Sequence, residues 1–503
     1  MTRAGDYIRL SARRHPDRAC FVSGDGSART FAETNARVNR LADALRAGGA
    51  GMGDRVAILA TDGLEYMEVL LACMKLGATY VPLNNRLAKP EVHTLLGRAA
   101  PKALFVSDRY LPLTEGADTG RVVSFDGPYE DLLRTGADVE PDVPVPDDAV
   151  LGLAFTSGTT GLPKGVMQPQ RFLKSMFTTT SIDYEIGPDE FRYTASPIFH
   201  IAGQAMIMMH VARGFPTLIL PRFDEAEVLR WLGSGELTGG FLVPTMIARL
   251  LDHPDVHHGS YGALRSIIYG GAPMSPSLLR RAMETFGCGF INAFGAATEG
   301  GLQTVLSTAD HRRAFDGAEH LLGSIGKPAY GVDLRLVDAE DRDVPAGEVG
   351  EIITRSDAVM SGYLEMPERS AEALRGGWFR AGDLARMDDE GYLYLEGRRN
   401  DMIIRGGENI YPIEIETVIS RYPGVAQVAV IGRPDDHWGE VVVAYLTAEP
   451  GTTIDVDGLP AYCRERLAAY KVPIAYEVVP EMPLNASGKI LKRELRAGAV
   501  GAA

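Results

Sequence analysis

The chain has 503 residues, with 51 Lys and Arg against 66 Asp and Glu, and so carries a formal net charge of −15. Its 45% hydrophobic and 23% charged residues are the balance of a globular protein of several domains, which excludes a disordered chain, a fibrous repeat and a disulfide miniprotein. A net acidic chain also lacks the basic footprint of sequence-independent nucleic-acid binding.

The first residues, MTRAGDYIRLSARRHPDRAC, are basic but hold no apolar core of the length a secretory signal needs. Cys20, Cys73, Cys288 and Cys463 are far apart and form no CxxC pair, so they read as small apolar fillers in a reduced, cytoplasmic protein. RVAILA (55–60) predicts a buried strand, and Leu64, Met67, Leu71 and Met74 recur at the spacing of a helix face. TYVPL, a helix from Pro90 and KALFVS (102–107) repeat the alternation. The apolar stretches 66–83 and 201–221 are broken by Glu68, Lys75 and Arg213, so no membrane span is expected.

DVEPDVPVPDD (138–148) is acidic and rich in proline, which predicts a surface connection. Strand–helix alternation returns at TLIL (217–220), GFLVP (240–244), SIIYGG (266–271) and GFINAF (289–294), and implies parallel sheets covered by helices. After Gly323, shorter runs such as VDLRLV and GEIIT predict a more antiparallel, β-rich region. From about residue 400 a smaller α+β unit is expected: a helix from Pro412, strands at VAQVAVI and EVVVAYL, a helix at 459–469, then AYEVVP. The fold class is α/β, with a large N-terminal body at 1–399 and a small mobile C-terminal domain at 400–503.

The chemistry concentrates in VLGLAFTSGTTGLPKGV (150–166). An apolar strand runs into a loop that holds glycines, the hydroxyls of Thr156, Ser157, Thr159 and Thr160, and Lys164. Glycines let backbone N–H groups approach phosphate oxygens, hydroxyls add donors and lysine adds a cation. A Walker A loop needs GxxxxGK[ST], whereas here Lys164 lies between Pro163 and Gly165, so the chain is not a P-loop NTPase.

TSGTTGLPKGV resembles the phosphate-loop motif of the adenylate-forming superfamily, which contains acyl-CoA synthetases, adenylation domains and luciferases. The resemblance recurs in order along nearly the whole chain. It includes PIFH (197–200), YGGAP (269–273), NAFGAATEG (292–300), GEVGEI (347–352), GWFRAGD (377–383), GRRNDMIIRGGENIYPIEIE (397–416) and PLNASGKILKREL (483–495). It implies an enzyme that joins a carboxylate to the α-phosphate of ATP, releases pyrophosphate and passes the acyl group to a thiol.

The roles that follow are those implied by the resemblance. Thr156, Ser157, Gly158, Thr159, Thr160, Gly161 and Lys164 would hold the β- and γ-phosphates, Thr298 the α-phosphate, and Glu299 Mg²⁺. Gly270, Gly271 and Ala272 would floor the adenine site, with Phe294 stacking, Gly295 beside it and Asn292 reading the adenine edge. Asp383 would accept from the ribose hydroxyls, assisted by Arg398. Lys489 would reach the carboxylate and α-phosphate, placing a cation where negative charge gathers in the transition state. His200 would gate the carboxylate end of the acyl pocket. Gly406 and Gly407, in GGENIYP, would let the pantetheine arm of CoA pass, and Trp438 would border that channel or pack between domains.

Two positions depart from the family pattern: FGAATE holds one residue more than aromatic-Gly-x-Thr-Glu, and Asn400 stands at the hinge where Lys or Asp is usual. The leading expectation is an acid–thiol ligase with ATP, Mg²⁺ and CoA. An alternative is a free-standing adenylation enzyme loading a carrier protein, although no carrier-like domain is seen after residue 496. A non-catalytic binding protein would not need Lys489, Glu299 and Asp383 together. Ile198, His200, Gln204, Val243, Met246, Gly270 and Gly295 are the expected lining of the acyl pocket, mostly apolar with few charges, which suits an aromatic, medium-chain or polycyclic acid.

Overall fold

A computed structural model describes residues 2–156, 163–187, 189–272, 274–405, 408–435, 438–484 and 490–498, with the backbone alone described at 400, 408 and 409. The chain forms two compact units. The first contains residues 1–334 and 354–379, the second 335–353 and 380–503. Residues 335–353 and 380–399 therefore pack with the C-terminal residues.

The first unit carries two large sheets. One has seven strands, in the order Gly362–Tyr363, Lys164–Pro169, Val150–Thr156, Thr79–Pro82, Arg55–Leu59, Ala103–Val106 and Arg121–Ser124. Its centre is parallel, and Lys164–Pro169 returns antiparallel to Val150–Thr156. The continuous apolar run of RVAILA follows from burial on both faces. Val56 and Ile58 enter one core while Ala57 and Leu59 enter another, as the period of two requires.

The other sheet has nine strands, and five parallel pairings join Ala19–Ser23, Thr217–Ile219, Arg192–Thr194, Gly239–Leu242, Ser266–Gly270 and Gly289–Phe294. The largest apolar core draws Phe21 and Ile219 from this sheet and Val56, Tyr80 and Leu151 from the seven-stranded one. Helix Leu64–Leu76 runs through that core, with every residue but Glu65 buried. Its internal charges are matched. Glu68 accepts from Arg29, Arg37 and Tyr129, and the Lys75 ammonium donates to Asn35, Asn39 and Glu140. Among the described residues no helix is long and apolar enough to cross a membrane.

Residues 138–148 form neither helix nor strand, yet they are tied down. Glu140 pairs with Lys75, and the Val143 and Val145 carbonyls accept from Arg3 and Gln170.

Most of a four-stranded sheet (Asp333–Val337, Gly350–Arg355, Phe379–Met387, Leu393–Arg398) lies in the second unit. A five-stranded sheet follows, in which Val425–Asp435 and Gly439–Ala448 pair antiparallel and Ala475–Val478 runs parallel to the latter. Both faces are again covered: Val442 and Ala444 face one core, Val443 and Tyr445 the other. Helix Pro412–Ile419 starts where proline's missing N–H costs nothing. The helix expected at 459–469 is shorter, Leu459–Arg464, with a separate turn at Ala469–Lys471.

Candidate functional site

Thr156 ends its strand and is paired in register with Lys164, so the phosphate-loop motif joins two antiparallel strands. A P-loop would lead into a helix, and its exclusion on spacing agrees with this hairpin. Ser157, Gly158, Thr159, Thr160 and Gly161 lie outside the described residues. The Lys164 Nζ sits 4.8 Å from the centre of the Tyr363 ring, a cation–π contact. Tyr363 is buried on the short strand that pairs with the return strand at Val166. The hairpin exit is fixed by Arg98, whose guanidinium donates to the carbonyls of Pro163 and Leu364. Nothing in the spacing of the sequence pointed to Tyr363, which lies about 200 residues beyond the loop it braces.

Thr298 and Glu299 occupy a turn just after strand Gly289–Phe294. The Ala296 carbonyl accepts from the N–H groups of Glu299 (2.9 Å) and Gly300 (2.7 Å), and the Gln303 N–H closes back on the Phe294 carbonyl at 2.9 Å. Ala296 and Ala297 of FGAATE lie within this segment. Two outside contacts hold it: Gln168 Nε2 donates to the Thr298 carbonyl at 3.0 Å, and the Met360 N–H to the Glu299 carbonyl at 2.8 Å. Burial raises the Tyr363 phenol above its ordinary pKa, and the Glu299 charge raises it further. Among the described residues no group of three or more His, Cys, Asp or Glu could hold a metal. A lone carboxylate such as Glu299 fits a Mg²⁺ that takes its other ligands from phosphates and water.

Gly270 ends strand Ser266–Gly270, beside Ala293 of the next parallel strand, and Gly271 follows it. The two strands' carboxyl ends are where open α/β sheets bind ligands. A Cβ on Gly270 would stand 2.3 Å from the Ala293 carbonyl oxygen. Gly271 is exposed, has φ +81°, and would send a Cβ into open space with only Val243 near, at 3.8 Å. A flat ring fits such a side-chain-free strip, with exposed Ala272 continuing it. Asn292 and Phe294 are half-buried at the open end of their strand, whereas Gly289, Phe290 and Ile291 are buried. Gly295 is required at its place, because a Cβ there would lie 2.4 Å from the Gly301 carbonyl.

His200 caps helix Ile201–Arg213, its Nδ1 accepting the Ala202 N–H at 3.3 Å. That bond puts the ring proton on Nε2, and desolvation lowers the imidazole pKa below its ordinary value, so the ring is neutral. The PIFH loop is held by two groups. The Asp62 carboxylate accepts the Ile198 N–H at 3.0 Å, and Gln204 Nε2 donates to the Ile198 carbonyl at 2.8 Å. Gln204, expected to line an acyl pocket, is thus buried and bonded to the loop itself.

In the second unit, Asp383 and Arg398 face each other across antiparallel strands, and Arg398 Nε donates to Asp383 Oδ1 at 3.0 Å. Asp383 is 4% exposed. Trp438 is 46% exposed, with the Arg405 guanidinium 5.5 Å from its ring centre. Gly406, Gly407 and Lys489 lie outside the described residues. The basic residues near Lys489 are not an open anion patch: Lys492 pairs with Glu416 at 2.7 Å and Arg496 with Asp401 at 2.8 Å.

Two family matches cover the chain: AMP-binding enzyme over residues 8–364, and AMP-binding enzyme C-terminal domain over 414–489. The chain is 38% identical to a feruloyl-CoA synthase of Amycolatopsis sp. over 98% of both chains. It is 34% identical to a fatty acid–[acyl-carrier-protein] ligase of Streptomyces coeruleorubidus, over 94% of this chain and 92% of that one. The crystal structure of ATP-bound MatB from Rhodopseudomonas palustris matches with a TM-score of 0.90 and 29% identity, over 99% of both chains.

Proposed function

The chain belongs to the AMP-binding enzyme family, and from that membership we propose how its residues divide the work. It is an ATP-dependent acid–thiol ligase, which activates a carboxylic acid as acyl-AMP with release of pyrophosphate and then forms the acyl-CoA.

In the proposed mechanism Thr156 through Lys164 hold the outer phosphates, and Tyr363 keeps Lys164 in place. Thr298 donates to the α-phosphate. Glu299 would hold Mg²⁺, which would neutralise charge on the phosphates when bound. The strip at Gly270 to Ala272 receives adenine, with Phe294 stacked against it, Gly295 beside it and Asn292 at its edge. Asp383 and Arg398 take the ribose. His200, neutral and fixed by the Ala202 N–H, stands at the acyl carboxylate. Both reactants are anionic, so the barrier is mainly one of approach and charge. Lys489 supplies the cation that moves in for adenylation, carried by residues 400–503 acting as a lid that pivots at Asn400. Gly406, Gly407 and Trp438 serve the CoA arm in the second step. Four unpaired cysteines support a cytoplasmic setting.

The acid is proposed to be an apolar one bearing an aromatic ring, a reading carried by the 38% identity to a feruloyl-CoA synthase along the whole chain. A second reading, transfer to a carrier protein, draws support from the 34% identity to the acyl-carrier-protein ligase. A panel of aryl and alkyl acids scored for pyrophosphate release, with CoA or a phosphopantetheinyl carrier as acceptor, decides both. Release on aryl acids with a CoA thioester supports the first reading. Release that yields a thioester only with the carrier overturns it. Lys489→Ala is expected to lower acyl-AMP formation by about 100-fold or more, the scale of one lost transition-state donor. Adenylation at near wild-type rate would remove Lys489 from its role.

A further inference from the structure

One arginine, far from the family motifs in sequence, touches the chain on both sides of the phosphate loop. Arg98 lies in the last turn of helix Lys89–Ala99, where a cation suits the negative end of the helix dipole. That role alone would leave it in water, yet its side chain is only 16% exposed. It reaches the hairpin instead. The guanidinium carbon lies 5.7 Å from the centre of the Phe155 ring, and Nη1 donates to the Pro163 carbonyl. Nη2 donates to the Leu364 carbonyl at 3.1 Å, and Nε lies 3.8 Å from the Glu365 carboxylate.

The positions of these contacts matter. Phe155 immediately precedes Thr156, and Pro163 immediately precedes Lys164, the register pair at the head of the hairpin. Leu364 follows Tyr363, whose ring faces the Lys164 ammonium. Glu365 has φ +58°, a left-handed conformation that a residue with a side chain holds only where its surroundings impose it. The helix that carries Arg98 is itself anchored. Val92, Leu95, Leu96 and Ala99 share a buried core with Leu364, and Phe155 packs against that core. A guanidinium whose fork is engaged by two carbonyls and whose face meets a ring acts on phosphates through the residues it holds, not by touching them.

We propose that Arg98 is a positioning residue that holds Thr156 and Lys164 at the separation the outer phosphates of ATP require. This rests on the reading of Thr156 through Lys164 as the phosphate holder. Without the clamp, Thr156 and Lys164 must be brought to that separation as ATP binds, and the ordering costs affinity for the β- and γ-phosphates alone. AMP carries neither phosphate, so its binding does not draw on the clamp.

Titration calorimetry of ATP and AMP on the full chain, without any acid, tests the assignment. Arg98→Met keeps an apolar stem and removes the guanidinium. It is expected to weaken ATP by about tenfold, the cost of fixing one more residue's backbone, and to leave AMP within about twofold of the wild type. Arg98→Lys keeps a cation that reaches one carbonyl at a time, and ATP is expected to weaken by only about threefold. A merely structural role would lower the melting temperature and weaken ATP and AMP in proportion, which overturns the clamp. Should Arg98→Met fail to fold, Arg98→Lys decides alone, and a wild-type ratio of ATP to AMP affinity there overturns it. Lys164→Ala separates the clamp from the reading beneath it. If Lys164→Ala lowers the preference for ATP while both Arg98 variants keep it, the clamp is overturned and the phosphate-loop reading stands. If Lys164→Ala keeps the preference, both fall.

Discussion

The ammonium of Lys164 rests 4.8 Å from the centre of the Tyr363 ring, which joins the return strand of the phosphate-loop hairpin to a strand about 200 residues later. A lysine on a flexible stem loses rotamer freedom when it must meet a phosphate, and an aromatic face already holding it reduces that loss. Tyr363→Phe keeps the ring and is expected to bind ATP as the wild type does. Tyr363→Leu is expected to weaken ATP by about 3- to 10-fold, the range of a partly desolvated cation–π contact. Titration calorimetry of the two variants checks this, and equal loss in both would assign the effect to the hydroxyl.

The Asp383–Arg398 pair makes a comparable prediction for ribose. The buried carboxylate holds one charged donor in Arg398 and, in the proposed mechanism, accepts from two hydroxyls. Hydrogen bonds to a charged group are worth about 1.5–3 kcal/mol each. Asp383→Ala should thus weaken ATP by at least about 10-fold while leaving 2′,3′-dideoxy-ATP nearly unaffected. A variant that loses both nucleotides in proportion would place Asp383 in the fold rather than at the sugar.

Glu68 carries the clearest stability prediction. Its carboxylate has no exposed surface and accepts from Arg29 and Arg37 at 2.8 Å and from Tyr129 at 2.7 Å. Removing Glu68 leaves Arg29 with Glu65 and Arg37 with Glu130, but strips each arginine of its buried partner and Tyr129 of its acceptor, at a cost of about 3 kcal/mol. Glu68→Ala should show that loss in urea unfolding of the first unit, and Glu68→Gln a smaller one. A loss below about 1 kcal/mol for Glu68→Ala would mean that the two arginines reach water.

How much of this was legible beforehand depends on distance along the chain. Strands such as 55–59 and 289–294 could be read because an apolar run of that length, flanked by turn residues, has few other uses. The Thr156–Lys164 and Thr298–Glu299 segments were legible because their residue types crowd into a few consecutive positions. Tyr363, Gln168 and Asp62 were not, since each acts on a segment that only the folded topology brings near. Glu68 and Lys75 were seen only as interruptions of an apolar stretch. Their partners lie 31 to 65 positions away, a separation that no local pattern encodes.

Asp62 is a carboxylate whose pKa is pushed up to about 7, because it is desolvated beneath the PIFH loop. The Ile198 N–H it accepts and the nearby Arg86 charge both pull the other way, and burial outweighs them. A carboxyl with a folded pKa above its unfolded one binds its proton more tightly in the folded state. Its contribution therefore favours folding at low pH, fades as pH rises from about 4 to about 7, and above that range becomes the cost of a desolvated charge. Asp62→Asn keeps an oxygen for the Ile198 N–H and removes the titration. The variant should differ least from the wild type near pH 4, where both folded side chains are neutral, and melt at a higher temperature than the wild type at pH 8. The quantity to follow is the difference between the two melting curves across pH, since every other group titrates alike in both. A difference that stays constant from pH 4 to pH 8 would show that Asp62 is ionised throughout and that the loop rests on a charged carboxylate.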